Sequence, residues 1–243
     1  MSNASRIVCL EGPSAVGKTS LAAALAREHG AAVVTELDAA GAPPLGTAAT
    51  WFVNAHAERW RLARELAREA PFAVIDGDPF KGLWYHWIFA WQGWEGIEVV
   101  GPLYRTALHA GAIGFPDLYI VLVASEAELR SRRAGDATRS RRGFDTHLRL
   151  VEPQQRYFAA LNAVAPGRVV FLDTSDRDAL VGHVLAALDA RSHTAPSDAE
   201  LLERMIAWVR AASPAVDPAI GEPVIEARVE PASRPAGRVG DDP

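Results

Sequence analysis

The stretch "RIVCLEGPSAVGKTSLAAALA", Arg6 to Ala26, joins an apolar run to a segment that repeats Leu and Ala at helical spacing. Between the two halves, Gly12-Pro13-Ser14-Ala15-Val16-Gly17-Lys18-Thr19 fits G-x-x-x-x-G-K-[ST] at every fixed position. A loop that leaves a strand and opens a helix aims successive backbone N–H groups at one point. The helix adds the positive end of its dipole there. Gly12 and Gly17 allow backbone angles and a close approach that a side chain would block. The expectation is a site for nucleotide phosphates built from Gly12, Ser14, Ala15, Val16, Gly17, Lys18, Thr19 and Ser20. Lys18 would reach the β- and γ-phosphates of ATP, and the Thr19 hydroxyl would ligate Mg²⁺.

Outward from this loop, apolar runs alternate with helix-period segments. Strands are expected at 6–10, 32–35, 72–75, 118–123 and 169–172, short and rich in Val, Ile and Leu, as buried parallel strands are. Helices are expected at 18–28, 48–69, 103–110, 126–133, 145–163 and 177–190. The alternation predicts an α/β fold, a doubly wound sheet with helices on both faces. A further amphipathic helix is expected at 198–211, followed from Ser213 to Pro243 by a tail rich in proline and glycine that reads as disordered. The division expected is a domain over 1–190, then a C-terminal helix and tail over 191–243.

The chain has 243 residues, 49% of them hydrophobic and 23% charged, which suits one soluble domain with appendages. A formal charge of −5 argues against a nucleic-acid or membrane-surface binder, which would carry a basic excess. One cysteine, Cys9, allows no internal disulfide, and no apolar run reaches the ~18 residues of a membrane span. The expectation is a cytoplasmic protein.

"FAVIDGD", Phe72 to Asp78, is an apolar run that ends in an acid. An acid at the tip of a strand beside the phosphate loop suits a carboxylate directed at Mg²⁺, which selects Asp76. The loop "GPSAVGKTS", the acid after the second strand, "DGD" after the third and an arginine-rich segment together resemble P-loop nucleoside and nucleotide kinases. Deoxynucleoside and thymidylate kinases, with small-molecule phosphotransferases of similar build, are the relatives meant. The resemblance spans about 6–190. It implies the P-loop NTPase fold, a five-stranded parallel sheet in the order 2-3-1-4-5, a Mg-ATP donor site and an arginine lid.

A kinase must orient, or take a proton from, an acceptor hydroxyl in line with the γ-phosphate. Glu36 and Asp38, in "VVTELD", follow the second strand on the edge that faces the ligand crevice. The resemblance implies Glu36 as base by analogy with deoxynucleoside kinases, or Asp38 by analogy with other small-molecule kinases; Asp78 is a third candidate. The lid is expected near 133–144, in "LRSRRAGDATRSRRGFDTHLR", with Arg133, Arg139 and Arg141 as phosphate contacts. "PFKGLWYHWIFAWQGWEG" concentrates tryptophans. They read either as a wall on which a small-molecule acceptor stacks, at Trp84, Tyr85 and Trp87, or as core and homodimer packing. "DGD" lacks the arginine of the family's pattern after the third strand, which leaves room for an acceptor without a phosphate.

The expected function is an ATP-dependent phosphotransferase that moves the γ-phosphate to a hydroxyl of a small, nucleoside-like molecule. One alternative is an O-phosphotransferase acting on an antibiotic or another specialised metabolite. A regulatory P-loop ATPase or a nucleotide-binding protein is the alternative of another class. No N-K-x-D guanine motif and no LSGGQ-like signature occurs in the sequence.

Overall fold

A computed structural model of the chain describes residues 6–37, 49–90, 93–135, 144–190 and 196–212. Among them, β1 (Ile7–Glu11), β2 (Ala32–Val34), β3 (Ala73–Asp76), β4 (Leu118–Val123) and β5 (Val169–Asp173) form one sheet in the order β2-β3-β1-β4-β5. Every pairing is parallel, with Leu10 opposite Asp76 and Glu11 opposite Val121 at the carboxyl ends of the central strands. The helices are α1 (Lys18–His29), α2 (Ala49–Glu69), α3 (Lys81–Ile88), α4 (Ile97–His109), α5 (Glu126–Ala134), α6 (Phe144–Arg149), α7 (Val151–Val164), α8 (Leu180–Asp189) and α9 (Asp198–Ala211).

Successive side chains of a strand point to opposite faces, so each apolar strand here supplies two cores. Ile7, Cys9, Ala73, Ile75, Tyr119 and Val121 meet α2, α3, α4, α7 and α9 on one face. Val8, Leu10, Val74, Leu118, Ile120 and Leu122 meet α1, α5, α6 and α8 on the other. No helix among the described residues is long and apolar enough to cross a membrane.

Three segments differ from the expectations. The tryptophan-rich segment contains a helix, α3, whose period is masked because Leu83, Trp84, His86, Trp87 and Ile88 are buried nearly all round it, leaving no polar face to contrast. The helix expected from 103 begins at Ile97 and carries Pro102 inside it. The helix expected over 145–163 is two helices. Pro153, the third residue of α7, has no N–H for the carbonyl of Arg149, so the chain breaks at Leu150. The boundary drawn at residue 190 falls between α8 and α9, and α9 lies in the same core, packed against α4, α7 and α3. The tail from 213 and the central lid residues 136–143 lie outside the described residues.

Candidate functional site

The carboxyl ends of β1, β2 and β3 open into a cleft of about 590 Å³ that begins at the phosphate loop and runs to Glu36, Lys81, Trp84 and Tyr85. The sequence Gly12-Pro13-Ser14-Ala15-Val16-Gly17 turns so that Gly12 has φ 135, Ala15 φ 70 and Gly17 φ 112. A Cβ on Gly12 would sit 2.5 Å from the carbonyl oxygen of Leu122, so this turn needs glycine on both counts. Gly17 ends the loop in the left-handed region and no side chain caps α1, which leaves the first amides of that helix for an anion. Lys18 Nζ lies along the loop, donating to the carbonyls of Gly12 at 2.7 Å and Pro13 at 3.2 Å.

Thr19 Oγ1 donates to Asp76 Oδ2 at 3.4 Å, which brings together the two residues expected to serve the metal. Asp76 is 4% exposed, and its Oδ1 has no hydrogen-bond partner. A buried carboxylate oxygen with an open valence, beside a hydroxyl and below an anion cradle, fits Mg²⁺ or a water in its shell. Burial pushes the Asp76 carboxyl up, as do Glu36 and Glu11, against the pull of Lys18 and Lys81. A cation beside it would restore ionisation.

Glu36 lies just past β2 with its side chain 59% exposed, and Lys81 Nζ donates to its Oε1 at 3.4 Å. Burial raises the Glu36 carboxyl, but Lys81, Lys18 and Arg59 outweigh it and hold the group below the usual glutamate value. Asp78 stands behind the cleft, fully buried. Its carboxylate accepts from Phe80 N at 2.9 Å, Tyr119 Oη at 3.0 Å and Trp84 Nε1 at 3.1 Å. Burial and Glu11 push it up to about 7, against these donors. Asp38 lies outside the described residues.

On the lid side, Arg139 and Arg141 also lie outside the described residues, and Arg133 does not turn to the loop. Its guanidinium lies 4.7 Å from the Phe144 ring and 3.8 Å from Asp145. The arginine that α5 sends to the cleft is Arg132, which donates to the Val16 carbonyl at 3.2 Å and to Thr174 Oγ1 at 2.7 Å. Of the aromatic wall, Trp84 and Tyr85 line the cleft. Trp87 packs in the core instead, its ring 4.9 Å from Trp208.

Two cleft residues and one behind them carry a role that motif reading did not assign. Glu11, 1% exposed, ends β1 and accepts from Asp78 N at 2.7 Å, Gln154 Nε2 at 2.9 Å and Gly12 N at 3.2 Å. Lys81, 13% exposed, lies 3.4 Å from Glu11 Oε1. Behind them, Arg59 of α2 donates to the carbonyls of Thr35 at 3.0 Å, Asp76 and Gly77, and to His56 Nδ1 at 3.1 Å. It thereby ties the ends of β2 and β3 together. A signal for the first two exists in the sequence: an acid closing an apolar strand, and one of two lysines among 25 basic residues.

No protein-family model and no curated protein sequence matches the chain. Solved structures do share its fold. A NadR protein solved in complex with NR matches at TM-score 0.53 and 18% identity, over 76% of this chain and 51% of that one, so the chain spans about half the length of that protein. A deoxyadenosine kinase from M. mycoides, solved with products dCMP and a flexible dCDP, matches at TM-score 0.53 and 13% identity over 76% and 99% of the two chains. The M. mycoides enzyme with bound dATP matches at TM-score 0.50 and 12% identity over 75% and 99%. At such identities the likeness is one of architecture, and the chain has the P-loop nucleoside/nucleotide kinase-like fold.

Proposed function

We propose that this chain is an ATP-dependent phosphotransferase that transfers the γ-phosphate to a hydroxyl of a small, uncharged molecule, nucleoside-like in preference. The observation that carries the reading is the continuous cleft from the Gly12–Ser20 loop to the carboxylate of Glu36 and the rings of Trp84 and Tyr85. A nucleotide switch or an ATPase without an acceptor would have no use for the second half of that cleft.

The loop amides and Lys18 would bind the β- and γ-phosphates, with Lys18 exchanging two loop carbonyls for phosphate oxygens. Thr19 and Asp76 would hold Mg²⁺, which when bound supplies charge neutralisation at the phosphates. Glu36 would orient the acceptor hydroxyl. The hydroxyl oxygen bonds the γ-phosphorus as the bond from that phosphorus to the β–γ bridging oxygen breaks. The hydroxyl proton passes to the Glu36 carboxylate, and ADP leaves.

Charge favours an acceptor without phosphate or carboxylate. Between Arg27 and Arg59 the sequence has no lysine or arginine, so the chain after β2 offers no cation. Lys81 is paired with Glu11 and Glu36, and Arg59 is engaged with backbone carbonyls. The test is ATP consumption against a panel of nucleosides, sugars and hydroxylated antibiotics, each beside its monophosphate where one exists. Turnover is expected only with an unphosphorylated acceptor and at least ~100-fold lower in Lys18→Ala. ATP hydrolysis that ignores every acceptor would instead support the regulatory ATPase.

A further inference from the structure

We propose that Lys81 is a positioning residue, anchored by Glu11, that aims the Glu36 carboxylate at the acceptor. The proposal rests on the phosphotransferase reading above for its kinetics, but not for its geometry. Two carboxylates share one ammonium at equal distance, 3.4 Å from Glu11 Oε1 and 3.4 Å from Glu36 Oε1. They are otherwise unlike. Glu11 is 1% exposed and fixed by donors from three elements, whereas the Glu36 side chain is 59% exposed at the end of a short edge strand. A long exposed side chain of this kind loses much rotamer freedom when held in one place, and an ion pair at a half-wet surface holds it weakly unless its partner is itself immobile. Lys81 is held from several sides. Its stem leaves the first residue of α3, and its ammonium lies 5.5 Å from the Tyr85 ring centroid and 5.9 Å from that of Trp84. A Cβ at Gly77, where φ is 94, would lie 3.2 Å from that ammonium, so the missing side chain leaves its seat open.

The arrangement has a second consequence. Glu11 Oε2 accepts from the first amide of the phosphate loop, Gly12 N, while Oε1 faces Lys81. The carboxylate that anchors the acceptor side is thus the residue next to the donor loop. A merely structural counter-ion for buried Glu11 would need no second carboxylate in reach, and it would leave the chemistry of Glu36 alone.

The test compares full-length wild type with Lys81→Met, Lys81→Arg and Glu11→Gln. Lys81→Met is expected to lower kcat roughly 100-fold while the Kd for a fluorescent ATP analogue stays within about 2-fold, because the loop is untouched. Lys81→Arg should recover part of kcat, because it restores the charge but not the compact ammonium that fits beside Gly77. The groups that face the Glu36 carboxylate are Lys81 and Tyr85 of α3, Lys18 of α1, Arg59 of α2 and Asp76 of β3. Removing the first should move the acid limb of the kcat/KM profile to higher pH. The same shift is read without turnover from the ¹³C carboxyl resonance of Glu36, assigned by its loss in Glu36→Gln. An unshifted resonance in Lys81→Met, with lowered thermal stability as its only defect, would overturn the proposal. If Lys81→Met does not fold, Glu11→Gln takes its place: weakened anchoring should lower kcat measured at saturating ATP, where any change in ATP affinity through the Gly12 amide drops out, and an unchanged kcat would overturn the proposal. Absence of turnover with every acceptor, together with a shifted Glu36 resonance, would sink the phosphotransferase reading and leave the positioning of Glu36 standing.

Discussion

His56 shows how one buried side chain couples the acceptor end of the cleft to pH. Burial, then Arg59 and Lys81, hold its imidazole well below the ordinary 6.5, so it is neutral in the folded protein. Its Nδ1 must be the lone-pair side, because Arg59 donates to it. The folded form therefore binds fewer protons than the unfolded chain below pH 6.5, and stability present above that pH is lost as pH falls. The limiting slope is about 1.4 kcal/mol per pH unit for one histidine. His86, also lowered by burial, adds a share of the same sign. His56→Asn keeps an acceptor oxygen toward Arg59 without a titrating proton. Urea midpoints at pH 7.5 and 5.5 should differ less for this variant than for wild type, and an equal difference would refute the assignment. Legibility at this scale divides by mechanism. Gly12, Lys18 and Thr19 could be nominated from local spacing, and Asp76 from its place at the tip of an apolar strand. Glu11, Arg59 and Lys81 could not be joined in advance, because they meet only through strand register and helix docking, 48 and 22 positions apart in the chain.

At the scale of elements, α9 was visible by its period, with Leu201, Leu202, Met205, Ile206 and Val209 on one face, but its destination was not. Periodicity states that a face must be covered and is silent about what covers it. The structure supplies the cover and a lock. Ser197 caps the helix at Glu200 N, and Asp198 accepts from Phe115 N at 3.0 Å and Arg168 at 3.1 Å. Asp198 thus ties the start of α9 to the segments that lead into β4 and β5. Asp198→Ala should cost about 1–2 kcal/mol, since it leaves the Phe115 amide without its acceptor and takes the carboxylate from a guanidinium that keeps only the carbonyls of Pro116 and Phe115. Denaturant melts would measure this, and nucleotide affinity should stay unchanged because the lock is remote from the loop. The sheet itself was readable to within a residue or two at each strand, since five short apolar runs separated by helical segments admit few parallel arrangements. The α6–α7 break was missed because Pro153 falls within an otherwise continuous apolar period.

For the whole molecule, two cores share one sheet, and the cleft lies where both meet the strand ends. Binding at such a junction stabilises both layers together. ATP with Mg²⁺ at 100 times its Kd should add about 2.7 kcal/mol, or roughly 5–10 °C in Tm for a chain of this size. Lys18→Ala should lose most of that shift while keeping its own unliganded Tm close to wild type. A shift of full size in Lys18→Ala would contradict the donor site.

The chain's two lysines, Lys18 and Lys81, both line the cleft. Side-chain amine labelling is therefore a two-channel reporter of site occupancy, free of background from other lysines. An acylating reagent followed by peptide mass spectrometry should modify Lys18 quickly in the free protein and slowly once nucleotide covers it. Lys81, its ammonium kept protonated by Glu11 and Glu36 despite burial, should resist the same reagent until Glu11 or Glu36 is replaced.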